Sequence, residues 1–401
     1  MTNALLHPFA PPNKPESDYL NIVRGEGSLV FDSSGKSYID GIANLWLCQV
    51  GHGRTEIIDA VATQMRQIEA YHTFAPFSNG PAAQVAEMIV ERSPLVDGRV
   101  FLGCSGSDAV DTALKIARLF QQRRGHDGRQ IIVKRTNGYH GTNFGGTSAQ
   151  GITLNREGWG DLIPHFIEVP HDDLEVAATI FAEHGERIAA VLTEPIQGGG
   201  GVHPPVDGYL EGLHRLCEDN GALLIFDEVI CGFGRTGNWF GAQTFGVTPD
   251  LIIFAKGVTS GYQPLSGVIV SRDVCNELEE PDFLLRTGYT YSGHHASCAA
   301  GIANIELMET EGLVDRVDNI GSQLRSGLAA LKGDGLIESW RGLGAIYAAE
   351  LGNDAVSARD KMLSAGVILR PIGTCLAICP PLVITDDEIS RLIDTMADAL
   401  R

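Results

Sequence analysis

With 401 residues, 44% of them apolar, 20% charged and 7% aromatic, the chain has the composition of an ordinary globular protein and is too long for one small core. Thirty Lys and Arg against fifty Asp and Glu give a formal charge of −20, which disfavours the nucleic-acid backbone and anionic membranes as partners. Cys48, Cys104, Cys217, Cys231, Cys275, Cys298, Cys375 and Cys379 are scattered, mostly in apolar runs and without a C-x-x-C pair, so they read as free thiols and not as a disulfide framework.

Residues 1–20 hold four prolines and read as an extended arm without the basic and apolar regions of a signal peptide. SLVFD and KSYID flank Ser33-Ser34-Gly35 and predict a hairpin over 28–40. Helical periodicity follows over 55–70 and 81–93. From about residue 99, short apolar runs (RVFLGC, QIIVKR, AAVLTEP, ALLIFDEV, DLIIFA, SGVIVS) alternate with amphipathic stretches, the pattern of a largely parallel sheet covered on both faces. After about residue 296 the chain turns helical, then predicts strands near 344–352 and 367–379 and a helix near 386–400. No apolar stretch approaches the ~18 to 20 residues of a membrane span, and a cytoplasmic protein is expected. A large α/β unit flanked by a smaller one built from both chain ends is the expected organisation, with chemistry in the cleft between them.

Four segments could carry chemistry. In GCSGSDAVDTALKIAR (103–118) a strand runs through Ser105-Gly106-Ser107 straight into a helix, whose unpaired N–H groups and small residues suit a phosphate; simple N-capping gives the same pattern. GFGRTG (232–237) matches the dinucleotide fingerprint, but no helical period follows it, so it reads as loop geometry and an NAD-dependent oxidoreductase is the weaker rival. ALLIFDEV ends a strand on Asp227-Glu228, whose carboxylates point to opposite faces; one is expected to pair with Arg235, the other to need a cation or metal in the cleft. Lys256 ends the strand DLIIFA, where desolvation lowers an amine pKa and favours the neutral nucleophile that forms Schiff bases; a lysine snorkelling at a strand end is the simpler alternative. The histidines, densest at His171 and at His294-His295, supply no metal-binding spacing, and no metal is expected.

Taken together and in this order, LLIFDEVICGFGRTG, twelve further residues, and DLIIFAKGVTSG resemble the signature of class III pyridoxal-phosphate aminotransferases, enzymes of fold type I. NGYHGTNFG, AAVLTEPIQGGGG, GYTYSGHH and VILRPIGTCLAICPPL fall in the family's order, so the resemblance covers nearly the whole chain. It implies a large cofactor domain with a mostly parallel sheet over 55–290, and a smaller α+β domain from 1–54 and 291–401. It implies that Lys256 carries pyridoxal 5'-phosphate and shuttles a proton, and that Asp227 faces the pyridine nitrogen and keeps it protonated. Val229 and Tyr139 would sandwich the ring, Ser105, Gly106 and Ser107 would hold the phosphate, and Glu194 would join the cofactor set. Thr290 matches a phosphate ligand given to the neighbouring subunit, which implies a homodimer or higher homo-oligomer with a shared active site.

Thr142 stands where ornithine-, acetylornithine- and 4-aminobutyrate-type members place a carboxylate-binding arginine. Asn44-Leu45-Trp46-Leu47-Cys48 is instead similar to a segment of omega-aminotransferases whose tryptophan walls the substrate pocket, and Arg370 matches their mobile arginine for an acceptor carboxylate. Phe74 is assigned to the same pocket. Departures from the family pattern are Asp108 for glutamate, and Thr287 and His295 for histidine and proline. The implied activity is transfer of an amino group from a primary amine or omega-amino acid to a 2-oxo acid, pyruvate foremost. An aminomutase or racemase of the same fold is the alternative.

Overall fold

The computed structural model describes residues 4–401. Near the start, β1 (Ile22–Glu26), β2 (Leu29–Asp32) and β3 (Ser37–Asp40) form an antiparallel meander, and β2–β3 is the predicted hairpin, with Leu29 opposite Ile39. The helices Thr55–Gln67 and Gly80–Arg92 follow, and both pack on the helix His295–Thr310.

The central sheet has seven strands: β4 (Arg99–Gly103), β5 (Ile131–Arg135), β6 (Phe166–Val169), β7 (Ile188–Thr193), β8 (Leu223–Asp227), β9 (Leu251–Phe254) and β10 (Ser266–Val270). Their spatial order is β4-β10-β9-β8-β7-β5-β6, and only β10 runs against its neighbours. Every residue of β5, β7, β8, β9 and β10 is buried, which explains why these strands read as unbroken apolar runs without alternation. Leu224, Ile225 and Phe226 of β8 are wholly inaccessible, each contributing about 1.5–3 kcal/mol of hydrophobic stabilisation.

The chain closes with β11 (Ser339–Leu343), β12 (Ile346–Glu350), β13 (Val367–Ile368), β14 (Arg370–Ile372) and β15 (Cys375–Ile378). Strands β11, β12, β15 and β14 make a third, antiparallel sheet, while β13 joins β3 in parallel, so residues far apart in sequence complete the first sheet. The last helix, Asp386–Leu400, begins at a capping box of Thr385 and Glu388 and buries Ile389, Leu392, Met396 and Ala399. Among the described residues no helix is long and apolar enough to cross a membrane, and no group of three His, Cys, Asp or Glu is placed to hold a metal ion.

The topology selects one edge for chemistry. Strands β5, β7, β8 and β9 are parallel and end on the same side; β10 begins there, and β4, which pairs Gly103 with Ser266, ends there too. The segments that follow, Ser105–Ser107, Tyr139–His140, Glu194, Val229 and Lys256, therefore emerge at one carboxyl edge, the usual ligand-binding side of an open α/β sheet.

Candidate active site

Asp227, the last residue of β8, is 3% exposed. Its Oδ1 accepts the Val229 backbone N–H at 3.1 Å, and its Oδ2 lies 2.8 Å from Nδ1 of His140, itself buried. A carboxylate this deep needs such donors. Arg235, expected from the sequence to pair with one acid of the Asp227-Glu228 couple, does not. Its guanidinium is wholly buried on the Ala345 and Pro380 carbonyls (3.1 and 2.7 Å) and the Gln49 side-chain oxygen. Glu228, on the opposite strand face, accepts the backbone N–H groups of Gly241 and Ala242 at 2.7 and 2.6 Å. The glycine-rich segment that follows is a loop, with Phe233, Gly234 and Gly237 at positive φ, and no helix starts before Gly241. It offers no dinucleotide site.

Lys256 stands two residues past β9, at φ +49. Desolvation pushes its amine below the usual lysine range; Asp227 and Glu194 favour the charged form, and Arg370 disfavours it. The residue is half-buried, and its amine lies near enough to Asp227, which ends the neighbouring strand, to feel its charge.

The cradle lies at the start of the helix Gly106–Arg123. Ser105 caps it, accepting the Asp108 N–H at 3.1 Å, so the serine hydroxyl at this position serves the helix. A Cβ on Gly106 would sit 3.3 Å from both γ-methyls of Val229 and 3.7 Å from the Ala255 Cβ, so glycine lets the helix start lie close above the ends of β8 and β9. Ser107 Oγ accepts the Thr142 N–H at 3.0 Å and locks the Tyr139–Thr142 turn to the helix. Tyr139 is half-buried, its phenol pushed up by burial, with Arg370 opposing the shift. Glu194 is 3% exposed, and both its oxygens are used, by the N–H groups of Tyr139 and Gly198 (2.9 Å each). Burial pushes its carboxyl up to about 7, with His140 opposing and Asp227 adding to the shift.

Arg370, in β14, is exposed yet desolvated enough to lower its pKa, with Tyr139 opposing; among the described residues it has no carboxylate partner. Trp46 is 3% exposed and packs with Ile230, Cys231 and Cys379, just beyond Asp227 and Val229. It belongs to a tight turn in which Ala43, Asn44 and Trp46 all have positive φ. Phe74 and Thr290 are grouped with each other instead. Phe74 is half exposed, its ring against Gly288, and Thr290 is exposed two residues on. The neighbouring Tyr289 hydroxyl bonds the Asp108 carbonyl at 3.0 Å, anchoring that loop beside the cradle helix.

His140 is the member that sequence reasoning missed. It stands between Tyr139 and Gly141 in an aperiodic loop, so nothing in the pattern marks it as buried; its place in the Y-H-G triplet was the only signal. His294 and His295, by contrast, serve the fold, His294 by capping the helix His295–Thr310 and His295 by accepting the Tyr71 N–H at 3.2 Å.

A desolvated lysine, a buried carboxylate with its histidine, an aromatic ring and a glycine-floored helix N-terminus match the needs of a phosphate-bearing pyridine aldehyde: an amine to bond, an anion for the ring nitrogen, a stacking face and a phosphate seat. The aminotransferase class-III family model matches residues 11–400. The chain is 34% identical to the omega-amino acid–pyruvate aminotransferase of Pseudomonas putida, over 94% of this chain and 91% of that one. It is also 34% identical to the diaminobutyrate–2-oxoglutarate transaminase of Halomonas elongata, over 93% and 88%. The omega transaminase of Pseudomonas jessenii, solved in complex with PMP, superposes with a TM-score of 0.94 at 32% identity, covering 99% of this chain and 95% of that one. The chain therefore belongs to the class III aminotransferases, pyridoxal-phosphate enzymes of fold type I.

Proposed function

We propose that the chain moves an amino group from a primary amine or omega-amino acid to a 2-oxo acid, with pyruvate the foremost acceptor. The observation that carries this reading is the desolvated Lys256 beside the Asp227–His140 pair at the Gly106 cradle. When bound, pyridoxal phosphate supplies a carbonyl to accept the amino group and a ring that withdraws electrons. Lys256 would hold the cofactor through that carbonyl as a neutral amine, and its Nζ, when free, would carry the proton to and from the donor carbon. Asp227 would favour a protonated ring nitrogen, and His140 holds its carboxylate in place at 2.8 Å. Val229 and Tyr139 would orient the ring, with Glu194 fixing the Tyr139 backbone. Gly106 and Ser107 seat the phosphate, with Ser105 shaping the turn as the helix cap.

Arg370 is the acceptor's handle: an exposed guanidinium beside Tyr139, with no carboxylate partner among the described residues. Thr142 offers no second cation there, which favours amines and omega-amino acids over donors needing a second fixed carboxylate. Trp46 bounds the donor pocket, and Phe74, grouped with Thr290 near Gly288, would join the pocket of a second copy. Thr290, whose hydroxyl has no partner among the described residues, reaches the phosphate seat of a second copy in a homodimer. Eight free cysteines suit a cytoplasmic enzyme.

Purified holoenzyme is expected to be yellow, to lose that colour on adding an amine donor, and to regain it with pyruvate. A donor panel run with pyruvate and with 2-oxoglutarate identifies the acceptor. Amine rearrangement or racemisation without stoichiometric consumption of any 2-oxo acid overturns transfer in favour of a mutase, and a Lys256→Ala variant that turns over normally overturns the role of the lysine.

A further inference from the structure

Lys256 and Ser260 are non-glycine residues at φ +49 and +50, at the two ends of one turn. Side-chain-bearing residues hold such backbone only where their surroundings over-determine it. The over-determining group is Asn304, wholly buried within the helix His295–Thr310. Its Nδ2 donates to the carbonyls of Gly257 (2.9 Å) and Val258 (3.1 Å), the two residues directly after the lysine, and its Oδ1 accepts the Ser260 hydroxyl at 2.6 Å. One amide thus grips both ends of the turn.

The network continues outward. The Ser260 oxygen also accepts the backbone N–H groups of Gln49 (3.2 Å) and Val50 (3.3 Å), three and four residues beyond Trp46. Tyr262 adds a second tie, donating to the Gly51 carbonyl at 2.9 Å and accepting the Arg54 N–H at 2.7 Å. Apart from one long contact from Nδ2 to Met308 Sδ at 3.7 Å, the polar contacts of this buried amide all go to the lysine turn.

We propose that Asn304 is a positioning residue for the Lys256 amine, holding the lysine turn in its left-handed form and, through Ser260, tying it to the segment that carries Trp46. The proposal rests on the reading of Lys256 as the residue that bonds the cofactor. Reaction rate is sensitive to such placement, because an error of about 1 Å at the reacting atom costs on the order of a hundredfold.

The test uses reconstituted holoenzyme of the wild type, Asn304→Ala, Ser260→Ala and Lys256→Ala. Two readouts are taken: the pH midpoint of the bound cofactor's visible band, and the single-turnover rate with saturating amine donor. Asn304→Ala is expected to move the midpoint and to slow the single turnover roughly 10- to 100-fold, with the donor's half-saturating concentration nearly unchanged. A merely structural role would lower the melting temperature and leave both readouts at wild-type values, and that result overturns the proposal. Where Asn304→Ala does not fold, Ser260→Ala decides: a shift in either readout supports the positioning role and wild-type behaviour in both overturns it. A visible band that survives in Lys256→Ala identifies failure of the underlying lysine reading instead.

Discussion

His140 Nδ1 lies 2.8 Å from Asp227 Oδ2, and both side chains are almost wholly buried. The other ring nitrogen, Nε2, is buried and has no hydrogen-bond partner among the described residues, which assigns the proton to Nδ1 as donor to the carboxylate. Strand β8 can deliver a carboxylate to the sheet edge by itself, but it cannot stop that side chain from rotating. The Val229 N–H holds one oxygen and the His140 ring the other. A hydrogen bond to a charged group contributes about 1.5–3 kcal/mol. His140→Phe is therefore expected to weaken cofactor binding by roughly 10- to 100-fold, and His140→Asn, which keeps a donor, to recover part of the loss. Titration of the cofactor-free protein by visible absorbance measures this, and equal affinity in His140→Phe would show that Asp227 needs no second anchor.

Gly106 sets two effects against each other. In a helix interior alanine is favoured over glycine by about 1 kcal/mol, a gain that Gly106→Ala makes only in part at the first helical position, and the added Cβ would stand 3.3 Å from both Val229 γ-methyls, which must yield to it. Because Val229 is proposed to wall the ring site, cofactor affinity is expected to fall at least tenfold, while the melting temperature of the cofactor-free protein stays within a few degrees of wild type. Equilibrium dialysis and calorimetry separate the two; an unchanged affinity would remove Gly106 from the cradle.

Much of this site was legible in the sequence because strand ends are. A run such as LLIFD or DLIIFA states where an edge lies and so puts Asp227 and Lys256 at it, but a snorkelling lysine fits a strand end equally, and only the resemblance over the whole motif order assigned the two their roles. Ser105-Gly106-Ser107 was legible as a strand–helix junction, but N-capping accounts for the same pattern, and Ser105 does cap the helix. Residues whose role is a hydrogen bond across sequence distance were not legible: His140 to Asp227 spans 87 residues, and Asn304 to Gly257 spans 47. No local period encodes them. Arg235 shows the same limit from the other side. Its closeness in sequence to Asp227-Glu228 suggested an ion pair, yet the loop carries it to the carbonyls of Ala345 and Pro380, more than a hundred residues on.

Arg370 should separate the two half-reactions. Its side chain is exposed and has no carboxylate partner among the described residues, so the protein's own ion pairs do not compete with an incoming carboxylate. Arg370→Leu is expected to raise the KM for pyruvate by roughly 10- to 100-fold, from the loss of a charge-assisted contact. The single-turnover rate with an uncharged-tail amine should stay close to wild type, since that donor has no carboxylate to bind. Stopped-flow traces of each half-reaction test this, and an equal loss in both would make Arg370 a general electrostatic contributor and not an acceptor handle.

Glu228 gives a stability prediction with a definite sign. Burial pushes its carboxyl up to about 7, with the Ala242 and Gly241 N–H groups opposing the shift and Asp227 adding to it. Because the folded value lies above the ordinary 4.5, the folded protein keeps this proton through a pH range in which the unfolded chain has released it. The resulting stabilisation is fully present below about pH 4.5 and is lost as pH rises through about 7. Glu228→Gln removes the titration while keeping the shape. Relative to that variant, the wild type should lose up to about 3 kcal/mol of unfolding free energy between acidic and mildly alkaline buffer. Glu194, shifted the same way, is common to both proteins and cancels in the difference. Urea unfolding across that pH range supplies the comparison. Parallel stability profiles for wild type and variant would mean that the two backbone donors already keep Glu228 ionised throughout.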